Sequence, residues 1–425
     1  MKKNFYVGLI ALTALTVTSC SNDDVVMQSL EVNKAIEFGT YVGRDAVSRG
    51  HVTSIEKLAV EGFGVFAYYT VDKEFDAASN PIPNFMYNQQ VTSTSGTATE
   101  KDASNYVGWT KDWTYSPVKY WPNNVDEKVS FFAYAPYSEG GGATNFTLPT
   151  SDTQGAPSLT FKVDTDVEKH QDLLWTVPVK DKSKNSTSPI DIDTKVAFAF
   201  QHALSRIGFQ AEVMVDKVNG NATGADDDDN VTVSGNLDQF TTITINKVQL
   251  IGKFYVSGTM SLTDGTWSSQ AYSAENEGVV TYELNSDATT DFAEREDKPN
   301  ANIFKKDDYS QRLLNNTENY IMIIPQNMTE TGTNAPGKVQ IYVEYDVFTD
   351  INGDGDVDEN DSKITNKITS DEFEINFEQG KAYSLNLHLG MTSVKFSATV
   401  KEWEVQTGTA VNVPINTGTN PVVNP

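Results

Sequence analysis

VQIYVEYDV, residues 339–347, sets Val339, Ile341, Val343, Tyr345 and Val347 against Gln340, Tyr342, Glu344 and Asp346. Alternation this strict suits a strand with one face in a core and the other in water. The stretches that follow repeat it. Phe373, Ile375 and Phe377 oppose Glu372, Glu374 and Asn376, while Tyr383, Leu385, Leu387 and Leu389 share a face, as do Val394, Phe396, Ala398 and Val400. Successive strands with one common period predict antiparallel pairing and an all-β fold.

The signal continues toward the N-terminus in a less regular form. YIMII at 320–324 is a continuous apolar run suited to a central strand. Residues 242–251, 254–262 and 279–284 read as strands, and the acidic stretch 219–230, with its four consecutive aspartates, as a solvated loop. In KVAFAFQHALSRIGFQAEV, 195–213, the apolar face carries Val196, Phe198, Phe200, His202 and Leu204, then changes phase to Ile207, Phe209, Ala211 and Val213. That break predicts a bulge or turn near Ser205 and Arg206. His202 falls on the apolar side, the place of a hydrogen-bonded core histidine. Further upstream FGVFAYYT at 63–70, KVSFFAY at 128–134, SLTFKV at 158–163 and LLWTVPV at 173–179 are aromatic and β-branched, with turn residues between them. KDKSKNSTS, 180–188, has no apolar residue and reads as a linker. The expected organisation is two tandem antiparallel β-sandwich domains, 50–188 and 189–405. They follow an N-terminal segment at 20–49 that contains a short strand at 35–38, and a tail at 406–425 closes the chain.

The first residues decide the compartment. Lys2 and Lys3 precede the apolar run 5–17, and Val17-Thr18-Ser19 leads to Cys20, the only cysteine among 425 residues. This reads as a lipoprotein signal peptide, 1–19, too short to span a bilayer stably. Acyl chains such as palmitate on Cys20 would anchor the mature chain to a membrane. Asp23 and Asp24 just beyond it resemble the export signals of surface-exposed lipoproteins. The formal charge of −26 repels phosphate backbones and disfavours nucleic acid as a partner. With a single cysteine, no intrachain disulfide can form.

One site motif is sharp. In DINGDGDVDEND, 350–361, oxygen-bearing side chains stand at loop positions 1, 3, 5, 9 and 12, namely Asp350, Asn352, Asp354, Asp358 and Asp361, with Gly355 at the tight sixth position. The Asp356 carbonyl takes position seven. This spacing wraps hard oxygens around calcium as an EF-hand loop does, although an aspartate replaces the usual final glutamate. Strands on both sides place the loop at a hairpin tip, where calcium would be a structural cofactor of weak affinity, about 10⁻⁴ to 10⁻³ M. GTNAPGKV at 332–339 fails as a phosphate loop, because Val339 stands where Ser or Thr is required. No G-x-S-x-G or H-E-x-x-H occurs, and the four histidines show no metal-ligand spacing, so the expectation is a protein that is not an enzyme.

Taken in order, the signal, the polar segment with Arg44 and Arg49, FGVFAYYT, WPNNVDEKVSFFAYAPY, DLLWTVPV, FAFQHALSRIGFQAEV and FEQGKAYSLNLHLGMTSVKFSATVKEWEV resemble the fimbrillin-like subunits of type V pili. The resemblance implies transthyretin-like β-sandwiches and travel to the outer membrane as a lipoprotein. It further implies arginine-specific removal of an N-terminal strand, and a strand from another pilus subunit in the vacated groove. In this chain the cut would fall at Arg44 or Arg49. The donor side chains would be Val411, Val413 and Ile415, and the product would stand in a fimbrium at the cell surface, in contact with host or bacterial ligands. The rival reading is a surface-tethered glycan binder using Trp109, Trp113 and Trp121 as a sugar platform.

Overall fold

The computed structural model describes residues 34–42, 55–93, 113–124, 126–140, 145–184, 195–214, 237–285, 292–293, 300–308, 311–315, 320–329, 337–354, 359, 361–403 and 411–414. Within them the chain is all-β, with one short α-helix, α1 (Ile55–Glu61).

The first sheet runs β1 (Phe38–Val42), β10 (Val196–His202), β8 (Leu174–Thr176), β5 (Lys128–Ala135), β2 (Phe63–Val71), β3 (Met86–Ser93) and β4 (Trp113–Thr114), with β9 (Val179–Lys182) also paired to β5. A second sheet runs β17 (Arg312–Leu313), β11 (Ser205–Val213), β23 (Lys381–Leu389), β24 (Val394–Glu402) and β25 (Val411–Pro414), and β18 (Ile321–Ile323) joins β11. The third runs β15 (Val280–Asn285), β12 (Thr241–Gly252), β20 (Gln340–Thr349) and β21 (Ser362–Thr369), with β16 (Ile303–Phe304) on β12. The fourth is β14 (Trp267–Tyr272), β13 (Tyr255–Ser261), β7 (Ser158–Lys162) and β6 (Phe146–Thr147). A small ribbon joins β19 (Gln326–Asn327) to β22 (Asn376–Phe377).

Packing explains why the two halves of the chain look different in sequence. In β20 burial alternates residue by residue, because one face meets solvent. In β5 every residue from Val129 to Ala135 is buried, so the strand has no polar face to alternate with. One face of β2 and β5, with Phe66, Tyr68, Phe132 and Tyr134, joins Leu159 and Phe161 of β7 in a large apolar cluster. The other face, with Val65, Ala67, Phe131 and Ala133, packs with Leu58 and Ala59 of α1 and with Phe38, Phe198, Trp113 and Trp121. In the C-terminal half, Ile207 and Phe209 of β11 and Leu385 and Leu387 of β23 share a cluster with Ile243 and Ile245 of β12 and Ile341 and Val343 of β20. Tyr345 crosses the gap between these sheets and donates its hydroxyl to the Gly390 carbonyl at 3.0 Å.

Three expectations need correction. The sheets do not divide at 188: β10 belongs to the first sheet, and the chain crosses to the second at Ala203–Leu204, where the phase of the apolar pattern breaks. Nor are the halves separate units, since β7 pairs along Ser257–Ser261 of β13 and so places strands from both sides of the linker in one sheet. Trp175 reinforces the junction. It packs so closely over Gly265, whose φ is +71°, that a Cβ there would stand 2.3 Å from the indole. Finally, the pairing is not wholly antiparallel. β1 lies parallel to β10 and β11 parallel to β23, which is possible because each pair joins strands far apart in sequence.

Candidate functional site

The short strand expected at 35–38 is observed somewhat later, as β1 at Phe38–Val42, with Ala35 bridging Tyr120. It fills a slot. On one side β1 runs alongside β10 from Phe38↔Val196 to Val42↔Phe200, and Val196 N–H donates to the Glu37 carbonyl at 2.8 Å. On the other, Ile36 N–H donates to Lys119 and Trp121 N–H to Lys34, both at 2.9 Å. Alternate side chains turn inward, since Ile36 and Phe38 are each 1% exposed and Thr40 is wholly buried. Phe38 meets four rings, those of Phe63, Tyr115, Phe131 and Phe198, at centroid distances of 6.1, 5.3, 6.1 and 5.7 Å. Such contacts add about 0.5–1.5 kcal/mol each to the gain from burial. The β1 strand is thus a core element at the edge of its sheet. Taking it out bares an apolar slot and unpaired backbone groups on both flanks.

The other terminal strand is placed differently. Within the tail expected at 406–425, β25 pairs antiparallel with β24, from Val400↔Val411 to Ser397↔Pro414. At the foot of the tail Trp403, 6% exposed, stacks on His202 with ring centroids 4.0 Å apart and an interplanar angle of 3°. The Nδ1 of His202 lies 2.9 Å from the Asp172 carboxylate, as expected of a hydrogen-bonded core histidine. Arg206 stands over both Trp403 and Tyr320, and burial pulls its pKa down from the ordinary guanidinium value. This cluster sits on the segment that crosses between the first and second sheets. Sequence reading picked out His202 but gave no sign of Trp403, which is 201 positions away.

The acidic loop does cap a hairpin, between Thr349 of β20 and Ser362 of β21. Asp350 Oδ1 accepts from Gly353 N–H at 2.6 Å, Asn352 Oδ1 from Asp354 N–H at 3.1 Å, and Asp361 Oδ1 from Ile351 N–H at 3.2 Å. The first and last positions therefore close the loop on itself. Asp356 and Asp358 lie outside the described residues, and among those described no cluster of three His, Cys, Asp or Glu is set to hold a metal.

Cys20, Arg44, Arg49, Trp109 and Ile415 also lie outside the described residues. Trp113 and Trp121 are 7% and 6% exposed and pack edge-on against Phe63 and Phe131, which removes two of the three rings of a sugar platform. An arrangement the sequence concealed crosses three strands of the second sheet. His388 lies between Glu212 and Ser397, with Nδ1 2.5 Å from Oε1 and Nε2 3.0 Å from Oγ, and the Ser397 hydroxyl also takes Asn386 Nδ2 at 3.3 Å. It cross-links β11, β23 and β24 side chain to side chain.

The geometry describes an all-β sandwich protein whose sheets are completed by strands from the two ends of the chain. The chain belongs to the fimbrillin-like family, whose model matches residues 62–403. It is 26% identical to Fimbrium subunit Fim1C of Phocaeicola vulgatus, over 95% of this chain and 98% of that one. The crystal structure of a fimbrial protein from Bacteroides vulgatus superposes with a TM-score of 0.60 at 23% identity, covering 87% of this chain and all of the other.

Proposed function

We propose that the protein is a structural or adhesive subunit of a surface fimbrium. In this reading it is exported as a lipoprotein acylated on Cys20, matured by cleavage after Arg44 or Arg49, and assembled by strand exchange at the outer membrane. One observation carries the reading. β1 is an edge strand paired with β10, residues 34–36 just before it bond to 119–121 on the other side, Ile36, Phe38 and Thr40 are buried, and β1 ends at Val42, two residues before Arg44. A cut at either arginine leaves β1 attached by noncovalent contacts alone, and a strand with alternate apolar side chains can replace it. In the donor role, the C-terminal tail with Val411, Val413 and Ile415 leaves β24, to which, among the described residues, the four-residue β25 binds it.

Calcium has a place in this reading as a clamp on the hairpin tip. Asp350, Asn352, Asp354, Asp358 and Asp361, with the Asp356 carbonyl, supply the oxygens a calcium ion takes. Support comes from the loop standing where two strands end, so that an ion would hold β20 and β21 in register.

The test is to treat the purified precursor, lacking the signal and Cys20, with an arginine-specific protease. A new N-terminus at Asp45 or Gly50 with a ladder of heat-resistant oligomers is the expected result. Trimming that yields only monomers would overturn assembly by strand exchange.

A further inference from the structure

We infer that the slot under β1 selects a donor strand carrying an aromatic side chain at the register of Phe38. A different fimbrial subunit with such a strand is then a better partner for this chain than a second copy of itself. The inference rests on the strand-exchange reading above and adds to it the chemistry of the partner.

The slot has three inward positions of unequal demand. At the first, Ile36 is 1% exposed, and Tyr115 O–H donates to its carbonyl at 2.8 Å, a bond any residue there would receive. At the second, Phe38 is ringed by four aromatic side chains, of which Phe63 and Phe131 are braced by rings outside β1. Phe63 is held by Trp113 at 4.9 Å and Phe200 at 5.5 Å, and Phe131 by Trp121 at 5.8 Å. Walls braced in this way do not collapse around a smaller side chain, so the volume left by anything short of an aromatic ring stays empty. At the third position Thr40 is fully buried and its Oγ1 has no hydrogen-bond partner. An aliphatic β-branched residue of the same shape would fit there without a stranded hydroxyl. The native occupant is therefore right at Phe38 and imperfect at Thr40, which gives an incoming strand room to compete with it.

This chain's own tail meets the outer demands with Val411 and Ile415 but not the central one. Residues 404–425 contain no aromatic residue. With Val413 or Ile415 turned into the central pocket, Pro414 falls on an outward position. Glu37, outward just before β1, accepts from Val196 N–H through its carbonyl. An outward residue of a parallel ladder turns its N–H to the same neighbour as its C=O, so a proline there would bring an acceptor but no donor to the β10 edge. The matching donor reads aliphatic, aromatic, aliphatic β-branched at alternate positions, with no proline between them.

The experiment uses the full chain without its signal and Cys20, cleaved by an arginine-specific protease in the presence of fifteen-residue peptides, with affinities measured by competition and complexes counted by native mass spectrometry. The peptides are the natural tail 408–422, the same peptide with Val413→Phe, the arginine-free β1 segment 29–43, and a scrambled tail. The Val413→Phe peptide is expected to bind at least about tenfold more tightly than the natural tail. Equal affinities, or a preference for the natural tail, would overturn the selectivity while leaving strand exchange standing. If the β1 segment and both tails fail to bind, strand exchange itself falls. Independently of cleavage, Thr40→Val in the intact chain is expected to raise the melting temperature, and a lower one would overturn the account of the third position.

Discussion

β1 and β25 are both short strands at the margins of sheets, and both close an edge that would otherwise be open. Their bonds differ in kind. β1 and the residues just before it put Ile36, Phe38 and Thr40 into a core and are hydrogen-bonded to β10 and to 119–121, whereas among the described residues β25 pairs with β24 alone. The first is part of the interior, and the second is paired along the edge of β24. On the proposed reading, the first is the strand that cleavage would free and the second the strand that would be donated.

The contrast can be broken experimentally in descending order of effect. Cleavage after Arg44 with no donor present should replace the sharp thermal transition of the intact chain by an earlier, broader one. An unchanged melt would show that β1 contributes nothing to the core. In the uncut chain, Phe38→Ala should cost about 3–5 kcal/mol in urea unfolding, the range for an aromatic residue removed from a packed site. A loss below about 1 kcal/mol would put Phe38 on the surface. Chelation should weaken a third margin, the β20–β21 hairpin. With calcium at ten times its dissociation constant the stabilisation is about 1.4 kcal/mol, and it should vanish in Asp350→Ala. No calorimetric binding would sink the clamp. The smallest change should follow truncation after Trp403, below about 1 kcal/mol for the monomer, with loss of the oligomer ladder after cleavage. A large monomer destabilisation would make β25 as integral as β1.

What the sequence disclosed follows from how much solvent each strand meets. Val339–Val347 could be read residue by residue because its second face is wet, and β21, β23 and β24 lie beside it or follow from the same pattern. β5 and β2 were visible as strands but not as the centre of a doubly covered sheet, because a run such as VSFFAYA has no polar half to give its orientation. The phase break after His202 was legible, but its meaning, a crossing between sheets, was not. Pairings that join distant segments, β7 with β13 and β11 with β23, leave no local mark at all. Trp113 and Trp121 show the limit from the other side: a ring in a polar stretch reads the same whether it faces a sugar or a core. The acidic loop was legible as a hairpin tip because its spacing and the strands around it are both local.

The sheet shared by β6, β7, β13 and β14 also bears on the order in which the molecule can be made. A chain leaves the ribosome N-terminus first, so β7 is available long before the strand that pairs with it, separated by about a hundred residues. Until β13 arrives, Leu159 and Phe161 have only part of their cover, and the edge between them stays open to any passing strand. Folding of the N-terminal half therefore cannot finish on its own. The growing chain passes through a stage in which it needs a holding factor or speed, and a fragment ending near residue 188 should aggregate.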